Sequence, residues 1–542
     1  MTKHGTAETK HGTAAEWFET TPKARRFVSE SLAAGGSVSQ ILGELQARFA
    51  YPFHGKTAVR KWVAANGGFP GAGRERPAEE RFYRSDSDVR QLGQCTDFFV
   101  TSAVSGAPVC LPALKALRAA AEECGGQIVV NPIRYKNPTS REENRRAAYA
   151  WAPEVRDYLI ENEIRPHELL AFMTAKAQAT AANPLPARVS SRTKDRSAVF
   201  GHPQLSMRTV ATPHHKLPKI LYSSGAITEK AYSDTQAGDM ADFHHSIAAI
   251  KVEVRGDRFH LREITWDGKR FIDIDRAYTP RGIVAAPRAE ALVMGDLHDE
   301  MCDPLVLAAT LEGPDSICAT TRPRRVYLHD TYDGKPVNPH ERGRALTETV
   351  RAGLRVEASL RPAAELINRI VDQSGADEVD IVWSNHDDFL HRWLEAFAPA
   401  PGDRVFFTWL FNRMAEEHKR TGSFPVALEV ALTERFNLDP RVRFLKPDES
   451  SRVKGVELGM HGHLGPDGAR GSPQSLARIG TRFMSGHRHS PCIWQGGYWV
   501  GLSAVYDHGY NRGPSSWLQT HGLVHANGYR QLLHIIKGHY RG

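Results

Sequence analysis

The chain has 542 residues, of which 41% are hydrophobic and 24% are charged, and this composition excludes wholesale disorder and a fibrous protein. Its net charge of +8 fits a polyanionic partner without establishing one. Its six cysteines form no CxxC pair, so neither a zinc ribbon nor a disulfide framework is indicated. No apolar run approaches a membrane-spanning length, and the N-terminus lacks a secretory signal. We therefore expect a soluble, cytoplasmic protein with no membrane partner.

The N-terminal segment contains TKHGTA twice, and we expect residues 1–20 to form a disordered tail. Apolar residues at helical spacing follow, which predicts a helix-turn-helix-like module over residues 21–66. Its basic side chains, among them Lys56, Arg60 and Lys61, suit contact with DNA phosphates. The alternative is a small oligomerisation or partner-binding domain whose basic face is solvated.

Residues 67–94 are rich in Gly, Pro and charge, which predicts a linker. The block after it, residues 95–287, is predicted to be an α/β accessory domain. It begins with a strand, a helix and a second strand, predicted at Asp97–Thr101, Leu111–Cys124 and Gln127–Val130. This is the order of a βαβ unit. Further along, short stretches of alternating apolar and polar residues predict a β-rich part.

From about residue 288 the chain alternates helices with short apolar strands that end in Asp, Asn or His. The five strand ends are GDLH at 295–298, HDTYD at 329–333, SNHD at 384–387, MHGH at 460–463 and SGHRH at 485–489. Each piece alone is a weak signal, because many strands end in Asp at a turn. Ligand-type side chains at the carboxyl ends of buried strands point into a common crevice, so the five together predict a functional site.

The ordered series Asp-x-His, Asp, Asn-His-Asp, His and Gly-His-x-His resembles the calcineurin-like metallophosphoesterase family, over about residues 288–503. The resemblance implies an α/β fold with a catalytic domain over residues 288–542. That domain would be a metallophosphoesterase β-sandwich flanked by helices, with a helical insert at about residues 388–440. The α/β domain and the small helical N-terminal module would precede it.

By position, the resemblance implies two metal ions, one held by Asp296, His298, Asp330 and His489, the other by Asp330, Asn385, His461 and His487. Two choices stay open. The second motif departs from the family's Gly-Asp-x-x-Asp, so Asp333 is an alternative to Asp330, and MHGH offers His463 beside His461. Two divalent ions about 3.5–4 Å apart can clamp a phosphate and activate a water for in-line attack. Ligands without thiolate suit Mn²⁺ first, with Mg²⁺, Fe or Zn²⁺ as alternatives.

The resemblance also implies a role in catalysis for His386, which would stabilise developing charge or protonate the leaving oxygen. Asp387, the next residue, is expected to orient it. Arg470 lies in a glycine-rich loop after His461 and could bind a phosphate oxygen through two hydrogen bonds. The alternative for Arg470 is an exposed position on a flexible loop.

Longer phrases, among them YKNPTS, FGHPQL, TPHHKLPKI and GPDGARGSP, resemble a family of tailed-phage pre-early, first-step-transfer proteins implicated in degrading host DNA. This resemblance runs from about residue 97 to the C-terminus. It implies a phage DNase that acts on DNA in the cytoplasm of a bacterial host, and a homo-oligomer is compatible with it. Two other functions stay open: a phosphatase or small-molecule phosphodiesterase, and a non-catalytic DNA-transfer or regulatory protein.

Overall fold

The structure is a computed structural model. It describes residues 14–33, 38–52, 59, 91–135, 151–174, 177–213, 216–339 and 345–542. The chain divides into two compact units, Met1–Arg81 and Phe82–Gly542. Lys56, Arg60 and Lys61 lie outside the described residues, as does the predicted linker up to residue 90. DNA contact by these three side chains therefore stays a prediction.

Three helices form the described part of the first unit: Ala14–Thr20, Pro22–Ala33 and Val38–Phe49. They pack around a small apolar core that includes Phe18, Val28 and Leu45. The first helix lies inside the segment that the sequence predicts to be a disordered tail. It is ordered because Phe18 is fully buried and its ring packs 5.5 Å from the ring of Tyr51.

The second unit opens with the predicted βαβ arrangement. The first and second strands pair in parallel, with Phe98 opposite Gln127, and the helix Leu111–Glu123 connects them. They belong to a four-stranded sheet in the order Gln127–Ile133, Asp97–Val104, Ala248–Arg255, Arg258–Thr265. A three-stranded antiparallel sheet follows along the chain, in the order Phe271–Asp273, Arg276–Thr279, Gly282–Ala285.

A six-stranded sheet carries the first three of the predicted strand ends. Its order is Val442–Phe444, Glu378–Ile381, Arg325–Leu328, Ala291–Val293, Thr520–Val524, Arg530–His534. The first four strands in this order run parallel, and the last two are antiparallel. The connections between the parallel strands are helical, as parallel pairing requires.

A ten-stranded sheet carries the other two strand ends. Its order is Arg452–Val453, Val456–Glu457, Phe483–Ser485, Gly497–Trp499, Cys492–Trp494, His202–Val210, Lys219–Gly225, Ser197–Phe200, Leu170–Met173, Ile164–His167. Cys492 pairs with Arg208, and Ile493 pairs with Met207. The sheet thus joins strands from both sides of the predicted boundary at residues 287 and 288, because alternation in a sequence predicts a strand but not its partner.

The six-stranded and ten-stranded sheets share one apolar core. Val293 and Val524 of the six-stranded sheet belong to the same buried cluster as Val456, Met484 and Tyr222 of the ten-stranded sheet. The other face of the six-stranded sheet is covered by helices, which bury a second cluster. The second unit is therefore a mixed α/β structure, and the predicted α/β class is confirmed at that level.

The helices on that covered face include Pro304–Leu311, Ile317–Thr321, Arg361–Ser374, Phe389–Glu395, Arg404–Thr421 and Ala427–Phe436. The last three lie in the predicted helical insert. Further helices are Ala187–Arg192, Gln236–His244, Ala345–Arg351, Val356–Ser359 and Pro473–Leu476. Among the described residues, no helix combines the length and the hydrophobicity needed to span a membrane.

Candidate metal centre

The residues predicted to hold metal come together at the carboxyl ends of strands from two different sheets. Three strand ends belong to the six-stranded sheet, after Ala291–Val293, Arg325–Leu328 and Glu378–Ile381. The other two belong to the ten-stranded sheet, after Val456–Glu457 and Phe483–Ser485. The five strands are those that the sequence predicts, and the finding beyond the sequence is that the site lies between two sheets.

A first group of donors consists of His298, Asp330 and His489, whose ligand atoms all lie within 4.8 Å of one another. The Nε2 atoms of His298 and His489 are 3.1 Å apart, and His298 Nε2 is 3.8 Å from Oδ2 of Asp330. Asp296 adjoins this group, because its Oδ2 is 3.2 Å from Nε2 of His489. These are the four residues predicted to hold the first ion.

A second group consists of Asp296, Asp330 and His461. His461 Nε2 lies 3.3 Å from Oδ1 of Asp330 and 3.2 Å from Oδ1 of Asn385. The ring of His487 lies 5.2 Å from the ring of His461, although His487 belongs to neither compact group within the described part of the chain. Asp330 belongs to both of these groups, which is the position of a shared ligand. A third group, His298, Asp333 and His386, meets the first at His298.

The burial and electrostatics of these donors fit a divalent cation. Asp296, His298 and Asp330 are at most 1% exposed. Although imidazoles approach them, Oδ2 of Asp296 and Oδ1 of Asp330 accept no hydrogen bond from any described residue. Buried carboxylate oxygens are nearly always satisfied, so an unmet pair of them beside imidazole nitrogens could hold a metal ion.

The pKa shifts have the same origin. Burial disfavours the charged form of Asp330, but the imidazoles of His461 and His386 outweigh burial and hold the pKa of Asp330 well below its usual range. Burial also opposes the charging of His298, whereas Asp333 and Asp330 raise the pKa of His298 to about 9. The shift favours the protonated form of His298, and a cation that bound to this imidazole would have to displace that proton.

The backbone is strained at four of the candidate ligands. The φ angles of His298, Asp330, His487 and His489 are 49°, 46°, 72° and 55°, which is the left-handed region that residues other than glycine rarely adopt. Each such residue costs on the order of 1–3 kcal/mol, and such strain concentrates at functional sites. The backbone N–H of His487 also donates to Oδ1 of Asp296 at 3.1 Å, so the last loop fixes the first ligand directly.

The geometry distinguishes between Asp330 and Asp333. Asp333 Oδ1 lies 3.3 Å from Nδ1 of His298, on the opposite side of that ring from Asp330, and 3.9 Å from Nδ1 of His386. A carboxylate on the far nitrogen of a ligand histidine fixes the orientation of its ring. Asp330 thus lies in the two groups around His489 and His461, whereas Asp333 lies with His298 and His386 and could support the ring of His298.

The expected contact between Asp387 and His386 is corrected by the structure. Oδ1 of Asp387 accepts hydrogen bonds from the backbone N–H groups of Thr331 and Tyr332, each at 3.0 Å, and from the Thr331 hydroxyl at 2.9 Å. The chain turns at this point, with the N–H of Asp388 bonded to the carbonyl of Ser384, so successive side chains diverge. Asp387 therefore holds the loop that carries Asp330.

The structure places His463 and Arg470 outside the donor groups. The His463 ring lies 5.0 Å from the ring of Trp383, and His461 is the member of the pair that reaches Asp330. Arg470 is exposed on the loop after His463, where residues 464 and 470 pair as an isolated bridge. A phosphate contact by Arg470 stays a prediction.

Sequence reasoning missed several aromatic residues that border the cluster. Nδ1 of His329 lies 3.3 Å from Nδ1 of His461. From a C-terminal loop, His508 approaches His298 with ring centroids 5.0 Å apart, and Trp517 approaches His489 at 4.3 Å. This loop follows no strand-end motif, and the only signal in the sequence is the density of His, Tyr and Trp between residues 508 and 517.

Comparison with known proteins gives one curated relative. The chain is 30% identical over 358 residues to Protein A1 of Escherichia phage T5, and the aligned region covers 63% of each protein. The chain thus spans less than two thirds of the length of this relative. No protein-family model matches the chain, and no solved structure matches it. The similarity supports the expected resemblance to tailed-phage proteins.

Proposed function

We propose that the chain is a metal-dependent phosphodiesterase of the metallophosphoesterase type that hydrolyses DNA in the cytoplasm of a bacterial host. The observation that carries the proposal is the buried cluster in which Asp330 belongs to two donor groups. A carboxylate shared between two groups is what a pair of ions at one phosphate requires. The similarity to a phage protein and the net charge of +8 support DNA as the substrate.

The residues that would hold the first ion are Asp296, His298, Asp330 and His489, and those for the second are Asp330, Asn385, His461 and His487. When bound, the ions supply Lewis acidity at the phosphoryl group and lower the pKa of water. Mn²⁺ is the first expectation, with Mg²⁺, Fe or Zn²⁺ as alternatives, because oxygen and nitrogen ligands without thiolate suit these ions.

The supporting residues position these ligands. Asp333 holds the ring of His298, and Asp387 holds the loop of Asp330. His386, whose ring lies 4.7 Å from that of His298, would donate a hydrogen bond or a proton to the leaving oxygen. Burial lowers the pKa of His386 to about 4, and an anionic phosphate beside the ring would act in the opposite direction.

The test is hydrolysis by the purified protein with Mn²⁺. The substrates are supercoiled plasmid, linear duplex, single-stranded DNA, a chromogenic phosphodiester and a chromogenic phosphomonoester. We expect cleavage of DNA and of the phosphodiester, and complete loss of both with a chelator. Asp330→Asn, which keeps the shape and tolerates the left-handed backbone, should lose both metal and several orders of magnitude in rate.

Asp467→Asn is the matched control. Asp467 is also an aspartate in the left-handed region, with φ 58°, but it is exposed and lies outside the cluster, so this variant should keep wild-type activity. An Asp330→Asn variant that binds two ions and cleaves DNA normally would contradict the proposed centre. Hydrolysis of the phosphomonoester alone would indicate a phosphatase.

A further inference from the structure

A pocket of about 380 Å³ opens beside the candidate metal centre. Its lining combines apolar side chains, among them Trp383, Met460, Leu464, Leu476 and Ile479, with His463 and the charged side chains Asp448, Glu449, Arg452 and Glu457. His461 also lines it, and Nε2 of the same ring faces Asp330 and Asn385. The pocket and the metal centre therefore share one wall, and the pocket volume lies in the range of small-ligand sites.

The wall of the pocket also contains a side chain, His463, whose hydrogen-bonding groups have no partner among the described residues. The ring of His463 packs 5.0 Å from the ring of Trp383. Both ring nitrogens of His463 are buried and bond to no described residue. Buried imidazole nitrogens without partners are uncommon in folded proteins, so the His463 ring packs in the pocket wall with its hydrogen-bonding capacity unused.

We propose that this pocket receives one unpaired nucleobase of the strand whose phosphate lies at the metal centre. The inference rests on the proposed function and names its substrate as single-stranded or locally melted DNA. Trp383 offers an aromatic surface on which any base can stack, and the carboxylates of the lining can accept hydrogen bonds from the amino groups of a base edge. A base that is paired and stacked in a duplex cannot enter the pocket unless it leaves the stack.

The experiment uses the full chain with Mn²⁺ and one oligonucleotide in three forms. These are the single strand, the fully paired duplex, and a set of single strands with an abasic site at successive positions around the cut. We expect faster cleavage of the single strand than of the duplex. One abasic position next to the cut should lower kcat/KM by roughly 10- to 100-fold, the weight of one base stacked on an aromatic ring.

Trp383→Ala should show the same loss on the intact strand, and the abasic site should then cause no further loss, because both changes remove one interaction. Trp383→Phe, which keeps a smaller ring, should retain part of the activity. Trp409→Ala is the matched control, since Trp409 lies on the helix Arg404–Thr421 and packs against Phe406 and Arg435. It should behave as wild type on all three forms of DNA.

Measuring DNA binding and DNA hydrolysis separately distinguishes a failure of this inference from a failure of the proposed function. Anisotropy of a labelled single strand is measured with the metal-loaded chain and with Trp383→Ala, alongside Mn²⁺ content. A wild-type chain that distinguishes the abasic strand in binding but cleaves no DNA would overturn the proposed function alone. Two results would contradict the assignment of the pocket as a base site. One is cleavage of DNA at a rate that does not depend on the base, and the other is an abasic penalty that persists in full in Trp383→Ala.

Discussion

At the scale of single residues, substitution of His386 tests the proposed catalytic step without removing a proposed metal ligand. Its ring lies beside His298 but is not one of the proposed ligands, so His386→Ala should keep both ions. Turnover should fall by roughly 10²- to 10⁴-fold, the contribution of one acid or charge-stabilising group. Metal content and DNA hydrolysis measured on the same preparation check both parts.

His391→Ala provides the control for His386. His391 lies further along the chain, on the helix Phe389–Glu395, and its ring faces Glu395 at 3.9 Å. This variant should cleave DNA as wild type does. A His386→Ala protein that loses its ions, or one that turns over normally, would remove the proposed role of His386.

The sequence could predict that the candidate ligands lie close together, because each lies within a few residues of a strand end. It could not predict the direction of Asp387, because neighbours in sequence need not share a direction where the chain turns. It could not predict His508 or Trp517 either, since the loop that carries them reaches the cluster only through tertiary packing.

At the scale of elements, the N-terminal helical unit is the predicted site of DNA contact. If Lys56, Arg60 and Lys61 bind phosphates, replacing all three with Gln should weaken DNA binding. The slope of log affinity against log salt should fall by up to about 0.9 for each phosphate that is no longer neutralised. Titrations of a labelled duplex and a labelled single strand at several salt concentrations measure the slope.

A variant with the same change in net charge serves as its control. Lys115, Lys269 and Lys419 are exposed in the second unit, and their replacement with Gln should leave the slope near that of wild type. An unchanged slope in the N-terminal variant would leave that unit as an assembly or partner-binding domain.

Element bounds were predictable where the pattern is local. The strand Asp97–Val104, the helix Leu111–Glu123 and the strand Gln127–Ile133 lie within a few residues of their predicted positions. The helix Ala14–Thr20 was not predicted, because its order depends on the burial of Phe18 against residues far along the chain, such as Tyr51.

At the scale of the whole molecule, Glu263 connects three sheets. This side chain of the four-stranded sheet accepts hydrogen bonds from the hydroxyl of Tyr222, at 2.9 Å, and from the N–H of Leu532, at 2.7 Å. Those partners belong to the ten-stranded and six-stranded sheets. Burial raises the pKa of Glu263 to about 8, so the carboxyl is mainly protonated at neutral pH.

Because the folded pKa of Glu263 lies above the unfolded value, the folded state binds this proton more tightly. The resulting stability is fully present below the unfolded pKa and is lost as pH rises through the folded pKa of about 8. Glu263→Gln, which is neutral and similar in shape, should flatten the fall in Tm between pH 5 and pH 8. The exposed Glu365→Gln should leave that fall unchanged, and equal pH profiles for wild type and Glu263→Gln would contradict this assignment.

The pairing of sheets was the least predictable level, because it depends on contacts between strands far apart in the chain. The hydroxyl of Ser206 donates to the carbonyl of Ile493 at 3.0 Å, across 287 positions of sequence. Strand-by-strand patterning does not encode such a partner, so the predicted boundary at residues 287 and 288 divides a sheet that the structure joins.

That junction decides which pieces of the chain can stand alone. A fragment that starts at residue 288 would retain every candidate ligand, yet Cys492–Trp494 would lack its partner strand His202–Val210. The backbone N–H and C=O groups along that newly open edge would be free to pair with another copy, which is a common route to aggregation. The half that carries the candidate ligands is therefore not expected to fold as an independent domain. The other half contributes to the candidate metal centre by completing the sheet from whose strand ends His461, His487 and His489 project.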